Sequence, residues 1–146
     1  MPIRGKKVGI VGFGSIELEI ATRVEAFGCS IAYNSRCSKP SVPFPYVASV
    51  RNLAARSVII IASCASTDET HHIINKDVLP ALGKEGIVID IGRRPLIDEK
   101  ELVKCLVQGE WWGQDWLHLA MLECGVSMTI VRPATAEETL TICGET

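Results

Sequence analysis

Hydrophobic residues along the chain come in two textures, short unbroken runs and longer stretches with helical spacing. Lys7-Val8-Gly9-Ile10-Val11 has no polar alternation, the pattern of a strand covered on both faces of a parallel sheet. Gly12-Phe13-Gly14-Ser15 ends it. Ile16, Ile20, Val24 and Phe27 then fall at helical spacing, with Gly28 placed to stop the helix. Ser30-Ile31-Ala32-Tyr33-Asn34 predicts a second strand, and Pro40, Pro43 and Pro45 make the stretch after it a loop by fixing φ and removing donors. Val50 to Ala55 predicts a short helix, and the β-branched Ser57-Val58-Ile59-Ile60-Ile61-Ala62 a central strand. Thr67-Asp68-Glu69-Thr70 offers capping groups to a helix reaching Leu82 with Pro80 inside it, which would put His71 and His72 on an exposed helical surface. Gly86-Ile87-Val88-Ile89-Asp90-Ile91-Gly92 predicts a further strand. Asp98 to Val107 predicts a helix with acids at its start and apolar residues on one face.

Strand and helix alternate through short glycine-bearing turns. Right-handed crossovers then leave an α/β fold, a doubly wound parallel sheet of the Rossmann type. Past Glu110 the texture changes to Trp111-Trp112-Gly113-Gln114-Asp115-Trp116, and the remaining residues lack strong periodicity apart from a strand candidate at Met128 to Val131. The expected division is one Rossmann-type domain over residues 1–110 and a diverged C-terminal segment over 111–146.

Composition narrows the classes of function. The 146 residues are 47% hydrophobic and 22% charged, enough apolar material for a core. With 15 Lys+Arg against 17 Asp+Glu, no basic surplus argues for nucleic acid or an anionic membrane as partner. The longest apolar run, Val58 to Ala62, is far short of a membrane span, and MPIRGKKVGI carries no signal core, so a cytoplasmic protein is expected. Six cysteines are then expected to stay reduced. No Cys-x-x-Cys pair occurs, and His71-His72 have no partner at zinc-like spacing, so no metal is expected.

Chemistry concentrates at the ends of the strands. Gly12-x-Gly14 follows a buried strand and opens a helix, the start of a dinucleotide fingerprint in which glycines let the backbone turn and approach a diphosphate. Glu17 stands where the fingerprint has its third glycine. Two readings are open: a carboxylate facing the turn repels the ligand, or it turns outward and only crowds the turn. Asn34, twenty residues after Gly14, stands where an NAD site carries an acid for the ribose hydroxyls. Ser35, Arg36 and Lys39 instead suit a 2′-phosphate, because a guanidinium matches phosphate geometry; the alternative is a solvated loop arginine. Arg93, after Gly92 at a strand's carboxyl end, is placed either to hold a carboxylate or simply at the surface. Cys64 lies just past a buried strand, packed near the same edge. His118 falls in the aperiodic segment.

Taken together these residues resemble the nucleotide-binding domain of the D-isomer-specific 2-hydroxyacid dehydrogenases, within them the plant-type glyoxylate/hydroxypyruvate reductases. The resemblance is carried by 5–16, Glu25-Ala26-Phe27-Gly28-Cys29, Tyr33-Asn34-Ser35-Arg36, Thr67-Asp68-Glu69-Thr70-His71-His72-Ile73-Ile74-Asn75, Ala81-Leu82-Gly83-Lys84-Glu85-Gly86, Ile91-Gly92-Arg93 and Ile97-Asp98-Glu99-Lys100-Glu101-Leu102-Val103. It implies hydride transfer between NADP(H), with NAD(H) as the alternative, and a small 2-oxo acid. It also implies that Gly12, Gly14, Ser15, Ile16, Ser35, Arg36, Cys64, Thr70, Ile91 and Gly92 border the cofactor, that Arg93 holds the substrate carboxylate, and that a homodimer is the assembly.

The chain departs from that family at several points. Arg94-Pro95 replace the usual small pair, and the Gly-Gly-Ala-Gly-Leu-Asp strand is absent after Glu110. Val131-Arg132 stand where the family's Pro-His would supply the general acid, and Glu123 is the nearest match to that histidine's glutamate partner. The domain that closes over the substrate has no counterpart. The expectation is thus a fragment that binds cofactor and turns over slowly, and the alternative is a non-catalytic dinucleotide-binding or dimerisation module.

Overall fold

A computed structural model describes residues 3–65, 67–83, 85–91, 96–107, 115–121 and 126–132. The elements in chain order are β1 (Lys7–Val11), α1 (Ser15–Ala26), β2 (Ser30–Asn34), α2 (Val50–Ala55), β3 (Ile59–Ala62), α3 (Val78–Leu82), β4 (Ile87–Asp90), α4 (Glu99–Val107), β5 (Asp115–Met121) and β6 (Val126–Arg132). They form one sheet in the order β2-β1-β3-β4-β6-β5. The first four strands are parallel, with Val8 opposite Ile31 on one side and Ile59 on the other.

The chain runs from β1 outward to β2 and then crosses back over β1 to β3. This reversal of direction creates a topological switch point between β1 and β3, the place where open α/β sheets bind ligands.

Period-two alternation builds two cores from the same strands. Val8, Ile10, Ile59 and Ile61 face one side, where Ala21 of α1 and the rings of Phe13 and Tyr33 bury them. Val11, Ile60, Ala62 and Val88 face the other, against Leu53, Val78, Leu79, Leu82 and Leu102 from α2, α3 and α4. The four final residues of β1 and all four of β3 are buried, which accounts for their unbroken apolar runs.

Three expectations change. The helix expected from Thr67 to Leu82 is confined to Val78–Leu82. The Thr70 hydroxyl donates to the Ala65 carbonyl at 2.7 Å and accepts from the Thr67 N–H at 2.7 Å, so side chains close this segment into turns that compete with a helix. His71 and His72 therefore lie in a turn, their rings stacked at 3.8 Å, with His72 at φ +51°. Pro80 sits in the first turn of α3, where a missing N–H has no intrahelical acceptor to lose. The sheet also extends beyond its parallel part, since β6 pairs antiparallel with β4 and β5 antiparallel with β6. The strand expected at Met128 to Val131 runs from Val126 to Arg132, whereas Asp115–Met121 carried no strand signal because Leu, Ala and Met are good helix formers.

Gly9 shows how closely α2 packs on the sheet. A Cβ there would stand 2.6 Å from Ser57 Oγ and 2.8 Å from both Leu53 Cγ and Ile60 Cδ1. Ser57 is itself fixed by donating to the Leu53 carbonyl at 2.7 Å. Gly9→Ala is expected to cost about 1–3 kcal/mol, the usual range for overpacking a filled core. Urea unfolding should show a lowered midpoint, and an unchanged midpoint would contradict this packing.

Candidate functional site

The carboxyl ends of β1, β2 and β3 open into a cavity of about 830 Å³. Its floor is the turn after β1. Gly12 has φ +95°, and a Cβ on it would stand 2.7 Å from Cys64 Cα, so only glycine allows the ends of β1 and β3 to come this close. The Gly12 N–H donates to the Asn34 carbonyl at 2.8 Å, which ties the turn to the end of β2. Gly14 is then the extended residue that caps α1.

Gly14 has no side chain with which to cap the helix, and Glu17 takes up the N–H of Gly14 itself. Its carboxylate accepts the Gly14 N–H at 2.8 Å through Oε2 and the Ser63 hydroxyl at 2.6 Å through Oε1. Glu17 is only 8% exposed although it stands in the helix's first turn. The carboxylate faces the turn and does not point to solvent. Hydrogen bonds to a charged group are worth about 1.5–3 kcal/mol each, and a carboxylate also gains from the helix dipole. Glu17 thus stabilises the turn it faces.

At the other end the lip is cationic. Ser35, Arg36 and Lys39 line the cavity beside Asn34. The Asn34 Nδ2 donates to the Val47 carbonyl at 2.8 Å, so the position that would carry an acid in an NAD site instead pins the loop returning from the prolines. Tyr33 Oη accepts the Lys39 N–H at 2.9 Å, and Lys39 Nζ donates to the Phe13 carbonyl, which places a positive charge across the mouth of the glycine turn. The Arg36 guanidinium is exposed at the rim.

Gly12, Gly14, Ser35, Arg36, Cys64 and Thr70 line this cavity together. Ser15, Ile16 and Ile91 do not. Ile16 is 64% exposed on α1, and the Ile91 N–H donates to the Ala62 carbonyl in the sheet. Gly92, Arg93 and Glu123 lie outside the described residues, as do the side chains of His118 and Arg132. Ser63 was not singled out by sequence, though its place directly after β3 at the carboxyl edge was the available signal. Burial, with the carboxylates of Asp90 and Glu17 nearby, pushes the Cys64 thiol above its ordinary range, although a backbone hydrogen bond acts the other way. A thiol so placed is a packing group rather than a nucleophile. Among the described residues no cluster of three His, Cys, Asp or Glu side chains is arranged to hold a metal, and no helix is long and apolar enough to cross a membrane.

The two ends of the cavity differ in what they fit. The Ser35-Arg36-Lys39 lip suits a phosphate on a ribose 2′-oxygen. The α1 turn has the backbone of a diphosphate cradle, but the N–H of Gly14 already has a carboxylate on it.

Comparison with known proteins places this geometry. Residues 1–114 match the D-isomer specific 2-hydroxyacid dehydrogenase, NAD binding domain. A glyoxylate/hydroxypyruvate reductase of Arabidopsis thaliana is 53% identical over 107 residues, covering 73% of this chain and 33% of the relative. The hydroxyphenylpyruvate reductase of Plectranthus scutellarioides is 50% identical over 109 residues, covering 75% and 35%. The chain thus spans about a third of the length of these relatives. Among solved structures, an NADPH-dependent glyoxylate/hydroxypyruvate reductase from Sinorhizobium meliloti, in complex with NADP and malonate, is 35% identical. It superimposes with a TM-score of 0.71 over 84% of this chain and 41% of that one. In sequence over most of its length, and in fold, the chain belongs to the D-isomer specific 2-hydroxyacid dehydrogenase family and carries that family's NAD binding domain.

Proposed function

We propose that this chain is the NADP(H)-binding part of a reductase acting on small 2-oxo acids of the glyoxylate and hydroxypyruvate class. The observation that carries the reading is the lip at the end of β2, where Ser35, Arg36 and Lys39 line one cavity and Asn34 is turned to Val47. No carboxylate stands on that lip to reject a 2′-phosphate, and a guanidinium there attracts one. The names of the relatives supply the substrate class. Arg93 is the residue we assign to the substrate's carboxylate, at the position the resemblance gives it. A cytoplasmic homodimer belongs to the same reading.

A second reading has its own observation in favour. Glu17, buried on the Gly14 N–H, makes the turn a poor diphosphate seat and suits a module that has given up catalysis. The two separate on turnover.

Titration by fluorescence or calorimetry is expected to show NADPH binding about tenfold tighter than NADH, the scale of one charge-assisted contact. Arg36→Ala should bring the ratio close to one. Equal affinities in the parent would remove the support for NADP(H).

The 146-residue chain is further expected to oxidise NADPH slowly with glyoxylate or hydroxypyruvate. No histidine follows His118 to serve as general acid, and such a group contributes about 10²–10⁴-fold. An arginine at Arg132 remains protonated and cannot donate in its place. Fast turnover abolished by Arg93→Ala would overturn this expectation and remove the second reading.

A further inference from the structure

The α1 turn and the β2 lip are two ends of one cavity, and at the first of them a carboxylate already sits on a backbone donor. In a glycine fingerprint the diphosphate takes backbone N–H groups at the helix N-terminus, drawn there by the helix dipole. Here the Gly14 N–H points at Glu17 Oε2, 2.8 Å away, and the second carboxylate oxygen accepts from Ser63 on the far wall. The carboxylate bridges the ends of β1 and β3. Its oxygen would also lie 3.0 Å from a Cβ placed on Gly14, so it packs directly against the cradle.

An incoming diphosphate therefore meets the Glu17 carboxylate at contact distance, in a partly buried place where repulsion is weakly screened; the Lys39 ammonium, which donates to the Phe13 carbonyl at the mouth of the turn, offsets part of that charge without freeing the Gly14 N–H. To seat it on the Gly14 N–H, the Glu17 carboxylate must give up that bond. At the β2 lip no carboxylate among the described residues is bonded to Ser35, Arg36 or Lys39, whose Nζ reaches back to the Phe13 carbonyl at the glycine turn.

We propose that Glu17 is an internal anion standing in for the diphosphate, so that the cavity recognises a nucleoside 2′-phosphate on its own and gains nothing from the nicotinamide half of a dinucleotide. This rests on the reading of the lip as a 2′-phosphate site, and it deepens that reading by naming the ligand class the site accepts. The preference for NADPH over NADH is retained, because both dinucleotides carry the same handicap at Glu17.

Calorimetric titration of the full chain with adenosine 2′-monophosphate and with NADPH tests the proposal. The parent should bind the mononucleotide at least as tightly as NADPH. Glu17→Gly should tighten NADPH about tenfold or more, the scale of one recovered charge-assisted contact, and leave adenosine 2′-monophosphate within about twofold. Because Glu17 also caps α1, Glu17→Gln serves as the second variant: its amide oxygen still accepts the Gly14 N–H while the charge is gone. It should tighten NADPH by about threefold, less than the glycine variant because the seat remains occupied. A parent that binds NADPH about tenfold tighter than the mononucleotide, or both variants binding NADPH no better than the parent, would overturn the role of Glu17. Failure of adenosine 2′-monophosphate to bind the parent and both variants would instead overturn the lip assignment, and this proposal with it.

Discussion

The close approach of two backbones at Gly12 is the constraint on which the site depends. With a side chain there, Cys64 would have to retreat, and the ends of β1 and β3 would separate. Ser63 would then move away from α1, and the Glu17 carboxylate would lose one of its two partners. The same turn sets the direction in which α1 leaves the sheet and brings the Gly12 N–H onto the Asn34 carbonyl. One missing Cβ thus positions three strand ends and the first turn of a helix.

Charge is distributed unevenly around this junction. Glu17, Glu69 and Asp90 lie toward the β3 side, while Arg36 and Lys39 lie beyond β2. Lys39 Nζ reaches back to the Phe13 carbonyl, so the cationic half is attached to the glycine turn rather than loose on a loop. The rings of Phe13, Tyr33 and Phe44 pack behind it, with Phe13 and Tyr33 centroids 4.6 Å apart. The loop of prolines, which sequence alone leaves shapeless, is held by Tyr33 Oη and Asn34 Nδ2. Aromatic packing, these side-chain bonds and the backbone bonds of Tyr33 with Pro45 and Val47 give it a fixed course along the cavity.

The parallel half of the fold was legible in the sequence because its inner strands β1 and β3 are buried on both sides and have to be apolar almost throughout. Val8-Gly9-Ile10-Val11 and Ile59-Ile60-Ile61-Ala62 state that requirement directly. The 67–77 segment was misread because Thr67 and Thr70 satisfy each other instead of starting a helix, a choice visible only once their hydroxyls have positions. Likewise Asp115–Met121 becomes a strand through pairing with Val126–Arg132, a contact between neighbouring segments that the residue types of Asp115–Met121 alone do not show. In the site, the glycines and the basic lip could be read from residue type and spacing. Glu17 could be flagged by its place in a motif, but its direction depended on Ser63, which is 46 positions away.

The strand order also dictates when the cavity can come into being. β1 sits between β2 and β3, and its partners arrive at very different times: Val8 pairs with Ile31, then with Ile59. Ile59 in turn awaits Ile87. As the chain emerges, the glycine turn exists long before the Cys64 backbone that must lie against it, and β1 has to keep an apolar edge uncommitted in the interval. Pairings this distant slow folding, because loop closure comes before any reward from contact. During that wait the unpaired edge of β1 is the surface most open to wrong partners. The architecture that makes the pocket thus also makes it wait for β3.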